Sequence, residues 1–134
     1  HGMVPANFDH IADLAQAPAP LSRCTGVAGE GRALMLRFNS SDGCPPLADL
    51  RDWVGERGLV LDAEQMLSSG LLGDPGFADS RVVHERLGDA LIFARGHHQF
   101  THTSFVSAAS LEQRGVHGSL SEAELFVPFL QIEV

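Results

Sequence analysis

The chain has 134 residues, 44% of them hydrophobic and 19% charged, which is one domain in size or part of a larger one, with enough material for a packed core. Its 17 Asp and Glu against 9 Lys and Arg leave a net charge of -8, which excludes docking on a nucleic-acid duplex through a basic face. The longest apolar runs, such as 90–94, fall far short of the roughly 20 residues that span a bilayer, so no place in the membrane is expected.

Residues 1–20 carry Pro5, Pro18 and Pro20 and read as extended or looping chain, with at most a short element at 10–15. Residues 25–28 and 32–38 read as two strands joined through Gly29-Glu30-Gly31, where glycine allows a hairpin turn. Residues 39–43 have turn chemistry, and Pro45-Pro46 can open a helix. Leu47, Leu50, Trp53 and Val54 share one face of that helix, which Gly58 is expected to stop. A short buried strand at 59–61 follows. Asp62-Ala63-Glu64-Gln65 matches a capping box, with Met66 and Leu67 facing inward and Gly70 at the end.

After a loop at 73–80, residues 81–85 and 89–95 read as strands, the second one buried. Residues 99–106 alternate loosely and are expected to pair with it as a hairpin through Gly96-His97-His98. Ser121-Glu122-Ala123-Glu124 is a second capping-box pattern, ahead of the apolar 125–130. Pro128 limits that helix, so 129–134 is expected to extend as a strand. The order predicts an α+β fold with a small mixed sheet and two or three short helices.

Seven histidines are the most informative feature. His117 lies in Gly115-Val116-His117-Gly118-Ser119-Leu120, where flanking glycines let the backbone approach a ligand closely; from spacing alone, a plain loop histidine beside a helix cap is the favoured reading. His98 and His102 would share a strand face and so admit a metal, although solvent-exposed histidines around a hairpin turn explain them too. His10 and His84 have no partner in view. Cys24 and Cys44 are too few for a disulfide framework and read as free thiols in a reducing, cytoplasmic setting. Neither a P-loop nor a dinucleotide glycine motif nor a nucleophile elbow occurs.

Two blocks at opposite ends carry a resemblance. His1-Gly2-Met3-Val4-Pro5 resembles the Asp-His-Gly-Met-Val segment of type I phosphodiesterases/nucleotide pyrophosphatases, in the alkaline phosphatase superfamily. The stretch 115–130, from Gly115-Val116-His117-Gly118-Ser119-Leu120 to Val127-Pro128-Phe129-Leu130, is similar to that family's closing motif and tail. Between them, Leu87-Gly88-Asp89 with the apolar 90–94 is similar to the Gly-Asp strand preceding the motif. Gly29-Glu30-Gly31-Arg32 matches more loosely.

The resemblance implies that the chain is a C-terminal fragment of a metal-dependent hydrolase of phosphodiester or pyrophosphate bonds, built on an α/β alkaline-phosphatase-like fold. It implies two divalent ions, zinc in most members, and a covalent phospho-Thr/Ser intermediate whose nucleophile lies upstream. His1 and His117 would be metal ligands, one on each ion. The chain opens one residue after the expected aspartate, so the fragment itself is expected to be inactive and to lack a complete metal site. Residues 21–106 would form an inserted α+β subdomain, and 107–134 the closing metal-ligand segment. The implied partner is a phosphorylated small-molecule substrate, with a homodimer through an exposed sheet edge as a further expectation. The rival expectation is a stand-alone, non-catalytic α+β module that binds a protein or small ligand.

Overall fold

Strand β6 (Ala90–Ala94) is buried at every residue, as its unbroken apolar run requires of a strand covered on both faces. It lies between β4 (Ala33–Arg37) and β5 (Gly58–Leu61) in an antiparallel sheet of order β3-β4-β6-β5, with β3 (Gly26–Glu30) on the outer side of β4. The computed structural model describes residues 3–5, 8–39, 45–74, 76, 80–126 and 131.

The pleat of β6 divides the core in two. Ala90, Ile92 and Ala94 join Leu34, Leu36, Val60, Phe100 and the inward residues of α1 (Leu47–Val54), Leu50 and Val54. Leu91 and Phe93 point to the other face, where they meet Met66 of α2 (Ala63–Ser68), with Leu87 and Leu120 at the margin. Leu14 and Ala17, N-terminal to the span 21–106, belong to the first cluster, so that core draws on the chain before residue 21. The α+β class follows from this arrangement.

Local chemistry explains the elements. The β3–β4 hairpin forms as its sequence predicts, although β3 runs on through Gly29 and Glu30, leaving Gly31-Arg32 at the turn. Helix α1 gives way at Gly55, whose φ of +54° only glycine adopts readily, to a 3-10 turn (Gly55–Arg57) that ends at Gly58, the expected stop. The capping box at α2 is complete: Asp62 Oδ1 accepts from the Gln65 N–H at 2.7 Å, and the Gln65 side chain accepts from the Asp62 N–H at 3.1 Å.

Three expectations fail. The strand at 81–85 is instead part of a helix, α3 (Ser80–Leu87). Val83 and Leu87 are half-buried at i, i+4 spacing while Val82 and Glu85 are exposed, and an Arg81–Glu85 pair at 3.2 Å lies along the outer surface; helical periodicity overrides the β-branched pair. The hairpin between β6 and 99–106 does not form. Strand β7 (Gln99–Thr101) instead pairs in parallel with β2 (Ile11–Asp13), which falls within the short element allowed at 10–15. Finally, the described residues hold five α-helices rather than two or three, the last two being α4 (Ala108–Leu111) and α5 (Glu122–Leu125). The turn expected at 39–43 and the strand expected at 129–134 fall, apart from Asn39 and Gln131, outside the described residues.

Candidate functional site

Two short strands bring the ends of the chain together. Strand β1 (Val4–Pro5) pairs antiparallel with β8 (Gly115–Val116), setting Val4 opposite Val116 and Pro5 opposite Gly115. A Cβ at Gly115 would lie 2.9 Å from the terminal methyl of Met3, the free end of an exposed side chain that can turn aside.

His117 follows β8 directly and is half-buried. Gly118 next takes φ +106°, a backbone conformation open to glycine and strained for other residues. Its Cα faces the β3–β4 hairpin, with the position of a notional Cβ 3.5 Å from the Ala33 Cβ. Buried Ser119 then ties the loop down: its hydroxyl donates to the Ala94 carbonyl at 2.6 Å, and its N–H donates to Glu124 Oε1 at 3.1 Å. The loop carrying His117 therefore rests on the end of the central strand β6.

The anchor beneath it is an ion pair. Arg32 Nε and Nη2 donate to Glu124 Oε1 and Oε2, each at 2.8 Å, with both side chains wholly shielded from solvent. Arg32 Nη1 donates to the carbonyls of Gly96 and His98, both at 2.8 Å. This fork matches a carboxylate edge with a planar guanidinium and leaves few bonding directions unused. Beside it the Phe100 N–H donates to Gly31 O at 2.8 Å, so β7 also bonds to the hairpin turn that carries Arg32.

Ser121 is the N-cap residue of α5, but its side chain makes no capping bond to the helix backbone. Its hydroxyl donates to Glu124 Oε2 instead. The expected second capping box is thus diverted into the Arg32 pair. Burial by itself raises the Glu124 carboxyl, but the bonds from Arg32, Ser121 and Ser119 outweigh it and hold the pKa at about 2.

The other sequence candidates separate. His1 lies outside the described residues, as does Cys44. His98 meets His10 edge to face, with ring centroids 5.0 Å apart, so His10 has a partner that spacing did not reveal. His102 is buried against Phe105, and neither of its ring nitrogens has a hydrogen-bond partner among the described residues. His97 is exposed in the turn and His84 is exposed on α3. Among the described residues no three His, Cys, Asp or Glu side chains converge as metal ligands. Cys24 is buried and free, and burial pushes its thiol pKa up, which makes it an inert packing residue rather than a nucleophile.

A cavity of about 160 Å³ opens beside β8, lined among others by Glu30, Gln99, Thr101, Ser110 and Val116. The Gln99 side-chain nitrogen, buried, has no hydrogen-bond partner among the described residues.

No protein family, curated protein or solved structure matches the chain.

Nothing in the sequence marks Arg32 or Glu124 as a site residue: Arg32 opens the expected strand 32–38 at the end of a loosely matching stretch, and Glu124 is the fourth residue of a capping-box pattern. Nothing in a single sequence joins two positions so far apart.

Proposed function

We propose that this chain supplies His117, together with His1, as metal ligands to a two-metal phosphodiesterase or nucleotide pyrophosphatase of which it is the C-terminal part. The observation that carries the reading is the β1–β8 pairing, which sets Val4 against Val116. The residues just after His1-Gly2 in sequence thereby lie against those just before His117-Gly118. The resemblance needs its two histidine motifs to converge, and the pairing of the strands beside them is the geometry that convergence requires.

One imidazole is a normal zinc donor, but a four-coordinate site needs further ligands. In this reading those ligands, and the Thr or Ser nucleophile, come from chain N-terminal to His1. Bound zinc would act as a Lewis acid and offset charge on the transferring phosphoryl group. The role of this chain is positional: β8 and the Ser119 anchor present His117 at a fixed loop. The substrate class is a phosphorylated small molecule of nucleotide type. A homodimer through an exposed sheet edge belongs to the same reading, and monomer alone in light scattering at high concentration would contradict it.

The test is bound zinc in the intact protein. His117→Ala should lower the tightly held zinc from about two ions per chain to about one; unchanged zinc content would refute the assignment. A binding module without catalysis is the second reading, favoured by the cavity beside β8 and by the buried Gln99 amide nitrogen, which has no hydrogen-bond partner among the described residues. It requires wild-type protein that holds no stoichiometric zinc yet gains thermal stability with a small polar ligand.

A further inference from the structure

We infer that the Arg32–Glu124 pair is the positioning element for the His117 loop, fixing where the imidazole stands without touching it; the use made of that imidazole rests on the reading above. The pair is placed for this. Glu124 reaches back five residues to hold the Ser119 N–H, and Ser119 holds Ala94 O at the end of β6. Arg32 reaches from the β3–β4 hairpin to Glu124 and to both carbonyls of the 96–98 turn. One guanidinium therefore ties together three segments: the hairpin tip, the exit from the central strand and the helix after His117.

The bonds are more directional than stability requires. A buried ion pair with every arm used is matched in stability by apolar residues of similar volume in many proteins, and its distinctive contribution is a defined geometry. An apolar contact here would bury the same volume but would let the loop 115–121 slide over β6, because hydrophobic packing is non-directional. The alternative is that the pair only fills space in the core, in which case apolar replacement would leave the loop unchanged.

The experiment compares wild type, Glu124→Gln and the double variant Arg32→Met/Glu124→Met in the intact protein. Three quantities are read: the cooperativity of thermal unfolding, hydrogen exchange of residues 115–119 against residues 90–94, and kcat and KM for bis(4-nitrophenyl) phosphate with zinc present. The double variant keeps the fold testable if the single change unfolds it. A positioning role predicts cooperative unfolding in the double variant, with exchange in 115–119 faster by about tenfold or more and exchange in 90–94 unchanged. It also predicts that kcat falls about 10²-fold with little change in KM, as misplacement of a reacting group does. Unchanged exchange in 115–119 overturns the inference. Faster exchange with unchanged kcat in an active enzyme overturns it too, since the loop would then be anchored to no purpose for the reaction. An inactive wild type whose loop still loosens in the variants refutes the phosphodiesterase reading while upholding the anchor.

Discussion

Arg32 and Glu124, 92 positions apart in sequence, meet side by side through two 2.8 Å bonds in the interior of the protein. The contact joins the β3–β4 hairpin to the segment after His117, so the segment bearing the candidate ligand is attached to the sheet through polar groups as well as packing. Breaking it from one side leaves a buried charge without its partner.

The two kinds of substitution should therefore differ. Glu124→Ala strands the Arg32 guanidinium and is expected to cost about 3–5 kcal/mol, whereas Arg32→Met/Glu124→Met should cost less, its loss set by the Ser119 N–H and the Gly96 and His98 carbonyls left without partners. Urea denaturation measures both. A loss below about 1 kcal/mol for the single variant, the level of an exposed pair, would mean that the pair is open to water in solution.

Acid should act through the same carboxylate. The Glu124 pKa falls from 4.5 to about 2 on folding, so its contribution to stability is complete above the unfolded value and is lost as pH drops from about 4.5 towards 2. Glu124→Gln lacks that dependence. The stability gap between wild type and Glu124→Gln should accordingly narrow across this window, and a gap constant down to pH 2 would contradict the assignment.

His98 works at milder pH. Burial lowers its pKa first, followed by the charges of His10, Arg57 and Arg32, while a backbone hydrogen bond involving His10 opposes them. Because the folded state resists the proton, stability is present above the unfolded value of 6.5 and declines as pH falls through it. In His98→Asn the decline below pH 6.5 should be shallower, as thermal melts at stepped pH would show. An identical slope in both proteins would sink this expectation.

Gly118 tests the loop itself. At φ +106° an alanine is strained although its Cβ would meet the Ala33 Cβ only at an ordinary 3.5 Å. Gly118→Ala should cost about 1–3 kcal/mol through backbone conformation alone, read as a lowered urea midpoint. An unchanged midpoint would indicate that the loop relaxes to a different backbone.

The sequence-legible parts of this fold are those set by neighbours in the chain. The apolar run 90–94, the glycine-rich hairpin and the Asp62–Gln65 capping box each follow from local pattern, and each is found. Residues 81–85 show the limit: Val82-Val83 favours a strand locally, but packing of Val83 and Leu87 on one side selects a helix. The parallel partnership of β2 with β7 joins residues 88 positions apart, as Ile11 with Gln99, and no local pattern announces it. For the site, the His1-Gly2 and His117-Gly118 blocks are visible in the sequence, and the pairing of Val4 with Val116 through β1 and β8 is not. Nor is the Arg32–Glu124 contact, because Glu124 reads as an ordinary helix-start carboxylate until the chain is folded.

The most direct test of the central claim is zinc-dependent hydrolysis of bis(4-nitrophenyl) phosphate by the intact protein, wild type against His117→Ala. The account predicts hydrolysis by wild type that zinc removal abolishes and zinc addition restores, with kcat reduced about 10²-fold or more in the variant. Full activity in His117→Ala, or a wild type that does not hydrolyse the diester with zinc bound, would contradict it.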